Sequence, residues 1–130
     1  MTLRRQWWTA PYWTVVGVLG GFGVVSALTI GAYVLAVAAA LVAVGASVPV
    51  LRSGSWPLAI AGSAAGPWYV GWLNRGGPGT VCEAIAGGVQ CRDEWSPWPF
   101  AVVGIVAVVA GVSVLAVVRR RPEQAVPAAP

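Results

Sequence analysis

The residues best equipped for chemistry in this chain lie within thirteen positions of one another. Cys82 and Cys91 are the only cysteines, and eight residues separate them. Two thiols at that spacing, with no third to compete, predict one intramolecular disulfide wherever the segment faces an oxidising compartment. Closing a loop of that length stabilises it by roughly 2.5 to 3 kcal/mol in the chain-entropy picture. A second chemistry for the same pair is quinone-linked thiol–disulfide exchange, with Arg92 beside Cys91 available to lower a thiol pKa. Against it, here there is one pair at a spacing longer than Cys-x-x-Cys, and neither lysine nor histidine to depress a thiol pKa. Asp93 and Glu94 follow directly. Two adjacent carboxylates supply too few of the six to eight oxygens that calcium takes, so they are read as a solvated pair offsetting Arg92. No catalytic residue, cofactor site or metal-ligand set is expected.

The elements that must position this segment are apolar. The composition is 58% hydrophobic and 9% charged, too apolar for a water-soluble surface, and implies lipid as the solvent for most of the chain. From Gln6 to Leu51 there is no charged side chain. The apolar part, Tyr12 to Leu51, would be roughly 60 Å long as one helix, about twice the hydrocarbon thickness. A helical hairpin uses that length, with spans near Trp13 to Thr29 and Ala32 to Val50 around a turn at Ile30-Gly31 that lacks the usual polar cluster. A long tilted span with a re-entrant piece is the alternative. A third span, Trp56 to Leu73, carries a helix-kinking Gly66-Pro67. The fourth, Trp98 to Val118, is uncharged and closed by Arg119-Arg120-Arg121. The fold expected is therefore all-α, a polytopic four-span transmembrane bundle with both termini cytoplasmic. Residues 1–12 form a cytoplasmic, interfacial N-terminus, 74–97 an exported loop, and 119–130 a cytoplasmic basic and Pro/Ala tail, of which Pro122 to Pro130 is expected to be disordered.

Charges that played no part in placing the spans test the orientation. The four-span arrangement puts Arg4, Arg5, Arg52, Arg119, Arg120 and Arg121 inside and only Arg75 and Arg92 outside, as the positive-inside rule requires. Three spans would export Arg52 and the arginine triplet and leave the cysteines in a reducing compartment. A cleaved leader does not fit either, since Arg4-Arg5 precedes a stretch far longer than a signal peptide's hydrophobic region. The location expected is the cytoplasmic membrane of a cell, multi-pass, with the cysteine loop outside. The net charge of +4 is absorbed by this orientation, and nucleic acid is not an expected partner.

Aromatic residues bracket the spans. Trp7, Trp8, Tyr12, Trp13 and Trp56 mark the inner interface, and Trp68, Tyr69, Trp72, Trp95, Trp98 and Phe100 the outer one. Trp95-Ser96-Pro97-Trp98-Pro99 is dense and rigid enough to serve as a docking surface, with Trp95, Pro97 and Trp98 as its candidates. Within the bilayer, Gly17 with Gly21 and Gly62 with Gly66 repeat the GxxxG spacing that lets helices approach closely. Internal packing is the first use for these glycines and self-association through Gly17 and Gly21 the second. No Asp or Glu falls in any expected span, which argues against an ion-coupled pump.

Two stretches, Asn74-Arg75-Gly76-Gly77-Pro78-Gly79-Thr80-x-Cys82 and Glu94-Trp95-Ser96-Pro97-Trp98-Pro99, resemble the loops of uncharacterised small multi-span membrane proteins of high-GC Gram-positive bacteria. The likeness covers about a fifth of the chain and implies no particular activity. The function expected is that of a non-enzymatic accessory, structural or interaction subunit. Its partners would be the lipid bilayer and either another membrane protein or a second copy of itself.

Overall fold

A computed structural model describes residues 3–52 and 54–120. The tail from Arg121 to Pro130 lies outside them, as do the side chains of Arg4, Arg5 and Trp7. The chain is mostly helical: α1 (Leu3–Val25), α2 (Gly31–Ser47), α3 (Pro57–Gly62), α4 (Ala65–Leu73) and α5 (Trp98–Arg120), with strands β1 (Gly79–Ile85) and β2 (Gly88–Glu94) before the last helix. The all-helical expectation is thus corrected by one antiparallel hairpin. Two helices, α1 from Trp8 and α5, are long and apolar enough to cross a membrane, and α2 is a shorter apolar helix of 17 residues.

Local chemistry explains where the helices stop. The Ser26 hydroxyl donates to the Phe22 carbonyl at 2.6 Å and the Thr29 hydroxyl to the Ser26 carbonyl at 3.0 Å, and the Gly31 amide reaches the same Ser26 carbonyl at 2.9 Å. Two hydroxyls and one glycine amide thus converge on the Phe22 and Ser26 carbonyls where α1 ends and the chain turns. The helix ends four residues earlier than the expected span, and it begins at Leu3, running through Pro11. The break in the third apolar segment falls at Ser63-Ala64, just before the expected Gly66-Pro67 kink. Pro67 has no amide for the Ser63 carbonyl four residues back and would crowd it. Gly66 donates to that carbonyl instead, at 3.3 Å, and the Ala64 amide turns to Ala61 at 3.2 Å.

The helices form an open row. Its order is α2, α1, the α3–α4 pair, α5; each outer helix packs extensively on only one neighbour. Small residues make the seams. α2 buries Gly31, Ala38 and Gly45, and α5 buries Gly104 and Gly111, at seven-residue spacing in each case. Large apolar side chains point the other way, among them Leu28, Tyr33 and Val37 near the first turn and Val102, Val103, Ile105, Val106, Val109 and Val112 on α5.

One end of the row gathers the start of α1, the 48–56 connection and the end of α5. There the Thr9 and Ser55 hydroxyls share a buried hydrogen bond of 3.2 Å, and the Trp13 indole donates to the Leu51 carbonyl at 2.7 Å. Gly54, at φ +60°, lies against Val118. Trp13, expected to mark the inner interface, is buried in the core at this end of the row. The 26–30 turn and the hairpin occupy the opposite end.

Candidate functional site

The four glycines singled out for packing come together within the chain. A Cβ on Gly17 would overlap the Ala59 carbonyl, one on Gly21 the Ser63 carbonyl and one on Gly66 the Gly21 carbonyl; one on Gly62 would stand 2.5 Å from the Thr14 carbonyl oxygen. The two GxxxG pairs thus form a single seam between α1 and the α3–α4 pair. Backbone meets backbone along it, and the Gly17/Gly21 face expected as an alternative oligomer contact is already occupied.

At the hairpin end, local sequence dictates the ribbon. Thr80, Val81 and Ile85, then Val89, supply β-branched side chains on either side of Ala86-Gly87, and Gly87 turns the corner at φ +111°. In the resulting register Thr80 opposes Asp93, Val81 opposes Arg92, Cys82 opposes Cys91 and Glu83 opposes Gln90. Cys82 and Cys91 form a disulfide. Side chains alternate across the ribbon, so the disulfide shares its face with Thr80 and Asp93 while Arg92 lies on the other. The Arg92 Nε there donates to the Glu94 carboxylate at 2.7 Å, and the guanidinium is engaged away from the sulfurs.

Glu94 is the residue that sequence reasoning misjudged. It is 6% exposed, a buried carboxylate and not half of a solvated pair. Its other oxygen accepts the Gly76 amide at 2.8 Å. Asn74 completes the connection: its side-chain oxygen accepts the Trp95 amide at 2.9 Å, and its side-chain nitrogen donates to the Val70 carbonyl at 2.8 Å. Gly77 passes so close that a Cβ would stand 2.6 Å from the Trp95 carbonyl oxygen. Asp93 accepts the Thr80 hydroxyl at 2.7 Å. The two sequence stretches on either side of the cysteines are therefore mates, Asn74–Thr80 latched onto Asp93–Trp95. Burial alone would push the Glu94 carboxyl up. The Arg92 hydrogen bond, the Gly76 amide and the positive charges of Arg92 and Arg75 outweigh it and hold the group below the usual carboxylate range.

The latch carries an aromatic collar. Trp95 and Trp98 are 72% and 75% exposed, and Pro97, Trp98 and Ala101 line an open apolar depression of about 230 Å³. Across α1 and α4, Phe22, Tyr69 and Trp72 form a ladder with ring centroids 5.2 and 6.4 Å apart, and the Arg75 guanidinium lies 4.5 Å over the Trp72 ring. The Trp68 indole points to the Ala101 carbonyl at 3.4 Å and ties α4 to α5. Among the described residues, no three of His, Cys, Asp and Glu gather as a metal site would require.

No family model, curated protein or solved structure matches this chain.

Proposed function

We propose that the chain is a four-span protein of the cytoplasmic membrane with both ends inside, acting as an accessory or interaction subunit whose exported hairpin docks another membrane protein. The membrane part of this reading is supported by the inverted packing of the row. Water would drive Val, Leu and Ile inward, whereas here glycine and alanine fill the seams and the large apolar side chains face out, as lipid permits. At about 1.5 Å per residue, α2 spans roughly 25 Å and the α3–α4 pair about the same, near the lower limit for crossing a bilayer. Orientation is supported by the charges: Arg52, Arg119 and Arg120 belong to the end opposite the hairpin, and Arg75 and Arg92 to the hairpin end.

The observation that carries the docking role is the latched Trp95–Trp98 collar. Two largely exposed tryptophans on a backbone fixed by Asn74, Glu94 and prolines hold their shape before a partner arrives, which lowers the entropy cost of binding. A photo-crosslinking amino acid in place of Trp98, in living cells, is expected to trap one discrete heavier species; recovery of the monomer alone would overturn the docking role. A reporter active only in the cytoplasm, fused after Gly77, is expected to stay silent, and activity would overturn the topology. The rival reading, quinone-linked redox catalysis by Cys82 and Cys91, gains from the exposure of the pair. It loses from the engagement of Arg92 with Glu94 on the opposite face of the ribbon, which takes the neighbouring guanidinium away from the sulfurs.

A further inference from the structure

We propose that the Cys82–Cys91 disulfide is a thiol-operated gate, which an external dithiol opens to release the ribbon while the base of the loop and its tryptophan collar stay in place. The inference rests on the docking reading only for its use, since it assigns regulation to the same hairpin. Both cysteines are exposed, and neither strand packs extensively on a helix. Their shared face carries Thr80, Ala84, Val89 and Asp93, with no aromatic side chain to shield the sulfurs. A reductant therefore has an open approach.

What the disulfide holds differs from what the latch holds. A two-stranded ribbon without a covering layer is marginal in water, and every β1 and β2 residue except Val81 and Glu94 is exposed. The Cys82–Cys91 Cα separation of 4.0 Å marks the close pair of the ladder, so the flanking Val81–Arg92 and Glu83–Gln90 pairs make its backbone hydrogen bonds. Below them the base relies on other groups: Gly76 amide to Glu94, Trp95 amide to Asn74, and Thr80 to Asp93. None of these contains sulfur.

The exchange balances as follows. One thiolate of the dithiol attacks a cystine sulfur, forming a mixed disulfide and releasing the other cysteine as a thiolate that takes up a proton. The dithiol's second thiolate then displaces the remaining cysteine. The dithiol departs as a disulfide, having transferred two electrons, and Cys82 and Cys91 end as thiols.

The test is amide hydrogen exchange on the full chain in lipid nanodiscs, before and after treatment with dithiothreitol, with alkylation followed by mass measurement to count free thiols. On reduction, exchange at Val81, Glu83, Gln90 and Arg92 is expected to accelerate about a hundredfold, the scale of losing a ten-residue loop closure, while the Gly76 and Trp95 amides and the helices keep their protection. The double variant C82S/C91S is expected to reproduce the reduced pattern. Three outcomes would overturn the gate: a disulfide that dithiothreitol reaches only after unfolding, full reduction with unchanged ribbon exchange, or loss of protection at Gly76 and Trp95 together with the ribbon. The docking reading stands or falls separately, on crosslinking from position 98 in the oxidised protein.

Discussion

Between α1 and the third apolar segment, Gly21 lies against the Ser63 carbonyl with no space for a side chain; at the base of the hairpin, Gly77 lies as tightly against the Trp95 carbonyl. The contacts look alike, but their surroundings do not. Around Gly21 the Ser63 carbonyl already accepts the Gly66 amide at 3.3 Å, and the approach gains dispersion and lets two backbones meet. Around Gly77 the backbone is not helical, and the approach brings the Gly76 amide to Glu94 and the Trp95 amide to Asn74. One region is held by shape and the other by hydrogen bonds and a disulfide. Each uses the interactions its residues make available: close packing where small side chains let backbones meet, and crosslinking plus buried polar pairing where apolar burial is scarce.

The largest effect expected from breaking this contrast lies in the row. Gly21→Leu forces a branched side chain into the Ser63 carbonyl, and the overlap is with backbone that cannot rotate away. A loss of about 3 kcal/mol is expected, measured by denaturant unfolding in mixed micelles. Gly20→Leu on the same helix meets nothing within 4 Å and is expected to stay within about 0.5 kcal/mol of the parent. Equal losses at the two positions would mean that helix propensity, not the seam, decides stability.

Those two glycines also show how far the sequence reaches. GxxxG spacing identified Gly17, Gly21, Gly62 and Gly66, because small residues at four-residue intervals have few other uses in an apolar helix. It did not show that the two pairs meet each other, nor that the helices lie in a row. Lateral order depends on which seams match across segments some forty residues apart, and the seven-residue spacing of Gly31, Ala38 and Gly45 becomes meaningful only beside Gly23 and Trp13 of α1. The hairpin had a signal that went unused: Cys82 and Cys91 are placed symmetrically about Ala86-Gly87, as a two-residue turn requires. Glu94 offered no such signal. Its neighbour Arg92 suggested a surface pair, while the partner that makes it structural is a backbone amide eighteen residues earlier.

In the hairpin the largest effect belongs to the crosslink. C82S/C91S is expected to cost the ribbon roughly 2.5 to 3 kcal/mol of local stability and to leave helix content in far-ultraviolet circular dichroism unchanged. If the helices melt with it, the two regions are one cooperative unit and the contrast between them fails.

A smaller effect is expected at Glu94, and its direction with pH is defined. The carboxyl titrates below its ordinary value of 4.5 in the folded chain, so its contribution is fully present above about pH 4.5 and is lost as pH falls through the lowered folded value. Protection of the Gly76 amide is expected to decline over that acidic window. Glu94→Gln keeps the shape but removes the charge, and is expected to weaken Gly76 protection at neutral pH and to flatten its dependence on acid. A variant with the parent's pH profile would show that another group governs the latch.

The smallest effect separates the two ends of the ribbon. The Thr80 hydroxyl donates to Asp93 on the disulfide face at 2.7 Å, but both residues are exposed, so water competes for the bond and its net worth is about 0.5 kcal/mol. Thr80→Val keeps the β-branched shape and removes only the donor. In the oxidised protein the disulfide two residues away already fixes the register, and the substitution is expected to leave ribbon exchange nearly unchanged. In C82S/C91S the same substitution is expected to speed exchange at Val81 and Arg92 two- to threefold, because about 0.5 kcal/mol then falls on a ribbon with no covalent tie. The double-mutant cycle thus measures how much of the base is ordered by the crosslink and how much by its own hydrogen bonds. An equal effect in both backgrounds would mean that the crosslink does not reach the Thr80–Asp93 rung.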